Sequence, residues 1–125
     1  MDYDPTTEAR QILEAIQSAV DARDHGVLDG LFDDGAVLIG TSASAPDRAA
    51  VRAYTEAVVS QPGRLRWDWD DVVPFHVDET SIGFAAFGTV TLDDFREPIR
   101  ATLFAVGGPG RWRLRQFHGS IPHAG

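Results

Sequence analysis

The hydrophobic period of the chain changes near Leu65, and this change limits the folds that the sequence can adopt. Before Leu65, apolar residues recur at the spacing of one helical face. After it, they occur in strand-length runs separated by short polar or glycine-rich turns. A helical first half followed by a strand-rich second half is typical of an α+β domain whose helices cover one face of a sheet.

The period predicts three N-terminal helices, in residues 6–26, 27–35 and 41–63, with a short buried strand at 36–40 before the third. Four antiparallel strands follow as a meander, in residues 65–77, 80–92, 95–107 and 111–122. Helices packed across the concave side of such a curved, mostly antiparallel sheet leave a conical cavity suited to a small molecule. The length of 125 residues fits a single domain, 1–125.

Composition excludes several classes of function. The chain contains no cysteine, which excludes disulfides, zinc–thiolate sites and a cysteine nucleophile. Its net charge of −8 disfavours nucleic acid and anionic membranes as partners. Since the sequence has neither a transmembrane-length apolar run nor a basic, apolar leader, we expect a cytoplasmic protein.

The last strand carries the strongest candidate for chemistry. Strict alternation places one set of side chains together on the cavity face: Trp112, Leu114, Gln116, His118 and Ser120. A histidine beside a hydroxyl can act as a general acid or base. The alternative is that His118 and Ser120 are simply hydrogen-bonded groups near the cavity mouth.

Arg100, on the preceding strand, is the second catalytic candidate. A five-residue loop between the two strands would place Arg100 opposite His118, whereas a four-residue loop would place Ile99 there. In the first register the guanidinium would lower the histidine pKa and anchor a carboxylate or enolate oxygen. The alternative role is an ion pair with Asp93 or Glu97.

Aromatic residues suggest the cavity wall. Trp67 and Trp69 share one face of their strand, where they would form a flat wall for an aromatic ligand, or part of the core or of a dimer interface. The other predicted ligand-binding residues are Phe87, Thr102, Phe104, Trp112, Ser120 and Tyr54.

Other chemistries lack support in the sequence. Ser120 has no nucleophile-elbow motif before it, which argues against a Ser/His hydrolase. The histidines His76, His118 and His123 have no metal-binding spacing, and His123 is expected in a tail beyond the last strand. We therefore expect no metal and no cofactor.

Four segments in this order, "LFDDGAVLIGT", "AAVRAYTEAV", "REPIRATLFAV" and "GRWRLRQFHGSIP", resemble the SnoaL-like branch of the nuclear-transport-factor-2-like superfamily. The resemblance covers residues 7–122 and implies a cone-shaped α+β barrel that forms a homodimer. The superfamily includes isomerases, cyclases, dehydratases and binding domains, so the fold alone does not define the activity.

The ketosteroid isomerases of this superfamily can be tested by residue. The resemblance places Ile16 at the position of their oxyanion-binding tyrosine and Gly40 at that of their aspartate base. Neither side chain can perform that chemistry. Three hypotheses remain: a receptor for a small apolar or aromatic ligand, a lyase, cyclase or isomerase using His118, and a non-catalytic homodimeric assembly domain joined through the sheet.

Overall fold

The computed structural model describes residues 2–41 and 43–122, which form three helices and a six-stranded sheet. His123 lies outside the described residues. The helices are α1 (Pro5–Asp21), α2 (His25–Gly30) and α3 (Arg48–Ser60). The strands are β1 (Phe32–Ile39), β2 (Ser44–Ala45), β3 (Leu65–Val77), β4 (Ser81–Leu92), β5 (Phe95–Val106) and β6 (Arg113–Ser120).

The predicted α+β class and the order of the predicted elements are confirmed, with two local corrections. The second helix ends at Gly30 instead of reaching residue 35, because Phe32 pairs with Leu114 and begins a strand. The two-residue strand β2, which lies within the predicted third helical segment, adds an edge to the sheet.

An aspartate precedes each helix and accounts for where the helix begins. The Asp4 carboxylate accepts hydrogen bonds from the first-turn N–H groups of α1, and Asp24 and Asp47 do the same for α2 and α3. These side chains satisfy N–H groups that have no partner within the helix, and their negative charge suits the positive end of the helix dipole.

The sheet has the strand order β2-β1-β6-β5-β4-β3. Its neighbours are antiparallel except for β1 and β6, which run parallel. The side that the helices cover, called the inner face here, carries Phe84, Leu103 and Leu114 in the core. The opposite side is called the outer face.

A β-bulge at Arg115 sets which β6 side chains reach each face. Leu114 pairs with Ala105, but Gln116 pairs with Phe104, so Arg115 has no opposite residue on β5. A bulge of this kind interrupts the two-residue alternation of a strand. Leu114 and Phe117, three residues apart, therefore both face inward.

Candidate functional site

A cavity of about 180 Å³ lies between the helices and the inner face of the sheet. The helices contribute Ile16, Val20, Leu28, Tyr54, Thr55 and Val58. The strands and the segments beside them contribute Phe32, Leu38, Gly40, Thr41, Leu65, Trp67, Val90, Leu92, Phe95, Ile99, Phe117, Gly119 and Ile121. Since Thr41 and Phe95 are exposed, they mark the end at which the cavity meets solvent.

Two of the predicted ligand-binding residues, Trp67 and Tyr54, lie in the wall of this cavity. Trp67 is on β3, where its backbone N–H donates to Gln17 Oε1 at 2.8 Å and ties the strand to α1. Tyr54 reaches the cavity from α3. Their positions suit ligand contact, and their role in binding stays a prediction.

The expectation that His118 and Ser120 face the cavity is wrong. After the bulge at Arg115, alternation directs Phe117 and Gly119 inward and His118 outward. His118 is exposed and pairs with Thr102. Since the imidazole lies on the outer face, it cannot act on a molecule held in the cavity.

Arg100 also lies on the outer face, and neither predicted register is correct. It pairs with Ser120, to whose Oγ its Nε donates at 3.1 Å. The turn between β5 and β6 joins Val106 to Arg113, and the bulge then shifts the later pairs by one residue. His118 consequently has a threonine opposite it.

Phe87, Thr102 and Phe104 were also expected in the cavity, and this expectation is wrong. On β4 the even-numbered residues, such as Phe84, face inward, and on β5 the odd-numbered residues, such as Leu103, do so. The three predicted side chains therefore project from the outer face. Each of them is on the same face as His118, because residues paired across neighbouring strands share a face.

The two remaining tryptophans are also absent from the cavity wall. Trp112 packs edge-on against Tyr3, with ring centroids 5.7 Å apart, and donates to Glu8 Oε1 at 3.0 Å. Trp69 is half-buried against the core beside α1, where Arg10 donates to its backbone oxygen. Both residues hold the first helix on the sheet.

Three wall residues near the end of the chain were not predicted from the sequence: Phe117, Gly119 and Ile121. A signal for them was present, because Leu114 and Phe117 are three residues apart and cannot share a face in a regular strand. An apolar pair at that spacing is consistent with a bulge between its members.

Tyr54 is the one titratable side chain among the described residues that line the cavity. Burial raises its pKa, so the hydroxyl stays protonated at neutral pH. The hydroxyl occupies the space into which a side chain at residue 40 would project, and Gly40 leaves that space free.

A polar network lies behind the cavity wall. Arg48 donates to both carboxylate oxygens of Asp29, at 2.7 and 3.0 Å, and this hydrogen bonding holds the pKa of Asp29 below its usual value. Thr55, which is buried, donates to the Arg52 backbone oxygen at 3.0 Å and lies 3.0 Å from His25 Nε2. The network joins α2 to α3 and engages the hydroxyl of Thr55.

Comparison with known proteins agrees with the fold. A family model described as a SnoaL-like domain matches residues 9–124, and no curated protein matches the chain. The chain is similar in structure to a candidate dehydratase of the nuclear-transport-factor-2-like family from Streptomyces avermitilis, with a TM-score of 0.81, 15% identity and coverage of 96% of this chain and 98% of that one.

Two further solved structures are similar. One is a nuclear-transport-factor-2-like protein of unknown function from Pseudomonas putida KT2440, with a TM-score of 0.78, 19% identity and coverage of 95% of this chain and 87% of that one. The other is a candidate scytalone dehydratase from Novosphingobium aromaticivorans, with a TM-score of 0.79, 11% identity and coverage of 94% and 83%.

None of the helices in the described part of the chain is both long and apolar enough to cross a membrane. The match to the family model extends over nearly the whole sequence, and the similar structures have the same fold. The chain therefore belongs to the SnoaL-like domain family, and it has the fold of the nuclear-transport-factor-2-like structures to which it is similar.

Proposed function

We propose that this protein binds a small, predominantly apolar organic molecule in the cavity. The observation that carries the proposal is the composition of the wall, which consists of aliphatic and aromatic side chains with few polar groups. Ligand sites are typically apolar clefts with a small number of polar groups that fix the orientation of the ligand. We also propose that the helices and sheet form a cone whose open end lies at Phe95 and Thr41.

Binding has more support than acid–base catalysis. Among the described residues, the cavity wall contains no histidine and no carboxylate. An enzyme built on His118 and Arg100 would need a substrate on the outer face, because neither residue lines the cavity. The dehydratase names of similar proteins belong to chains that share the fold at low identity.

A fluorescence titration tests the binding proposal. The neutral probe N-phenyl-1-naphthylamine should bind the wild-type chain and gain fluorescence as it leaves water. Val58→Phe fills the cavity and should abolish the gain, whereas Val27→Phe adds the same volume at an exposed site on α2 and should leave it unchanged. An absence of binding to the wild type, or equal binding by both variants, would contradict the proposal.

We also propose that the outer face joins two copies of the chain into a homodimer. Five large apolar side chains are exposed on this face: Val37, Ile39, Val73, Phe75 and Phe87. Three of them, Val73, Phe75 and Phe87, lie on the adjacent strands β3 and β4, and neighbouring exposed apolar side chains are typical of an interaction surface. Phe75, at 62% exposure, is the most exposed of the five.

The charge on this face favours a second copy as the partner. Asp71 and Arg100 flank Phe87 on the two neighbouring strands. A twofold axis places the same surface on both partners, so the Asp71 carboxylate of each copy can pair with the Arg100 guanidinium of the other. Such pairing offsets the repulsion between two chains that each carry a net charge of −8.

Sedimentation velocity tests the dimer. The wild-type chain should sediment as a dimer and Phe75→Asp as a monomer, because the substitution would bury an unpaired charge between the copies. Val27→Asp places the same charge at an exposed site away from the sheet and should remain dimeric. A monomeric wild type or a dimeric Phe75→Asp variant would refute the interface.

A further inference from the structure

The strongest pointer to the chemistry of the ligand is the contact between Tyr54 and Gly40. The Tyr54 hydroxyl lies where the side chain of residue 40 would start: a Cβ built on Gly40 would be 1.9 Å from the oxygen. Any other residue at this position would displace the tyrosine. The pair therefore keeps a phenol at the wall of a predominantly apolar cavity.

The Tyr54 hydroxyl has no hydrogen-bond partner among the described residues. Burial is the one cause that raises its pKa, with no contribution from a hydrogen bond or a neighbouring charge. The other hydroxyl of α3 at the wall, that of Thr55, is already engaged with the Arg52 backbone oxygen and with His25. A partly buried phenol normally finds a partner, which a ligand can provide.

The wall also limits the charge of the ligand. No arginine, lysine or histidine of the described chain lines the cavity. An anionic group placed there would lose its hydration without gaining a cationic partner, which is strongly unfavourable. A neutral group that accepts one hydrogen bond would meet the phenol without this penalty.

The volume of the cavity limits the size of the ligand. The volume of about 180 Å³ is below the range of about 300–1,000 Å³ that is usual for sites of drug-sized ligands. A compact molecule of up to three rings matches such a space better than an extended chain or a larger polycyclic skeleton.

We infer that the ligand is a compact, uncharged, apolar molecule with a carbonyl oxygen, and that Tyr54 donates a hydrogen bond to this oxygen. The inference rests on the proposed binding function and adds the chemical class of the ligand. Tyr54 selects among apolar molecules, while the aliphatic and aromatic wall supplies contact to all of them. Gly40 is required because it leaves room for the hydroxyl.

Two probes that differ in the carbonyl test the inference: 1-tetralone and its hydrocarbon counterpart tetralin. Their affinities are measured by displacement of N-phenyl-1-naphthylamine from the wild-type, Tyr54→Phe and Tyr3→Phe chains. Tyr54→Phe should lower the ratio of ketone to hydrocarbon affinity roughly three- to ten-fold, the value of one hydrogen bond. Tyr3→Phe makes the same change in a tyrosine outside the cavity and should leave the ratio unchanged.

Infrared spectroscopy of bound 1-tetralone gives a direct measure of the hydrogen bond. The C=O stretch should lie at lower frequency in the wild type and in Tyr3→Phe than in Tyr54→Phe, where it should match the frequency in an apolar solvent. A structural role of Tyr54 alone would not shift this band. The anion 1-naphthoate should bind the wild type more weakly than 1-tetralone.

The outcomes separate this inference from the binding proposal. If both probes bind and Tyr54→Phe changes neither the affinity ratio nor the carbonyl band, the inference is wrong and the binding proposal stands. Tighter binding of 1-naphthoate than of 1-tetralone would overturn the assignment of a neutral ligand. If neither N-phenyl-1-naphthylamine nor the two probes bind, both proposals fail.

Discussion

The inner face of the sheet buries large apolar side chains and encloses a cavity, whereas the outer face exposes apolar side chains beside His118, Arg100 and Ser120. The residues with the greatest catalytic potential thus lie on the face without the cavity. On the inner side, Tyr54 has the one titratable group of the described cavity wall. Residue type alone therefore does not locate a site in a β-sheet, since one extra residue in a strand exchanges the two faces.

Two phenylalanines on β4 give the largest predicted contrast between the faces. Phe84 is fully buried on the inner face, and Phe87 is 45% exposed on the outer face. Phe84→Ala should lower the free energy of unfolding by about 3–5 kcal/mol, since it removes a core side chain and leaves a cavity. Urea denaturation followed by circular dichroism measures the change.

Phe87→Ala is the matched control for Phe84→Ala. Its loss of stability should depend on protein concentration and fall below about 1 kcal/mol in dilute protein, because exposed side chains contribute little to a single copy. The Phe84→Ala loss should not depend on concentration. Equal losses at every concentration would contradict the assignment of the two faces.

A second prediction concerns the network around Thr55, the one buried polar side chain of the described residues. Asp29→Asn removes the charge that pairs with Arg48 and should lower the free energy of unfolding by about 2 kcal/mol at neutral pH. A loss of this size would mean that the network stabilises the buried Thr55 hydroxyl on the helical side of the cavity. Urea denaturation again provides the measurement.

The lowered pKa of Asp29 determines how its contribution to the free energy of unfolding changes with pH. Asp29 has a folded-state pKa below the ordinary aspartate value of 3.8, so it binds a proton more readily in the unfolded chain. Its stabilisation is complete above pH 3.8 and is lost as the pH falls through the folded pKa. The difference in free energy of unfolding between wild type and Asp29→Asn should therefore decrease as the pH falls below 3.8. A difference that stays constant as the pH falls through this range would exclude the ionised carboxylate of Asp29 as its source.

The order of helices and strands could be predicted because it depends on local patterns. The helical period before Leu65 matches α1 and α3, and the strand runs after it match β3 to β6. The boundary of α2 could not be predicted in the same way. Phe32 fits the helical period equally well, and its pairing with Leu114, far along the chain, decides in favour of the strand.

Much less of the site could be predicted from the sequence. Trp67 and Tyr54 were placed at the wall by alternation on β3 and by helical spacing on α3, neither of which is interrupted before those residues. The β6 assignments failed because alternation carries an error forward from the first irregularity, here Arg115. A bulge depends on pairing with the neighbouring strands, which periodicity within one strand does not record.

The third prediction uses Phe117, which the bulge turns into the cavity. Phe117→Ala removes an aromatic wall and should weaken the binding of N-phenyl-1-naphthylamine roughly five-fold, corresponding to about 1 kcal/mol of lost apolar contact. Fluorescence titration of the folded variant measures the affinity. Affinity equal to that of the wild type would remove Phe117 from the binding site.

The smallest effect is expected one residue later, at His118. The imidazole is exposed on the outer face next to Thr102, so His118→Ala should change the affinity for N-phenyl-1-naphthylamine by less than about two-fold, a margin typical of surface substitutions. The same titration compares His118→Ala with Phe117→Ala under identical conditions. A larger loss for His118→Ala than for Phe117→Ala would mean that β6 has no bulge at Arg115 and that His118 faces the ligand. A larger loss of affinity for Phe117→Ala than for His118→Ala would instead assign binding to the inner face. Phe117 and His118 are adjacent in one strand, so their side chains lie on opposite sides of the sheet and only one of them can contact the ligand.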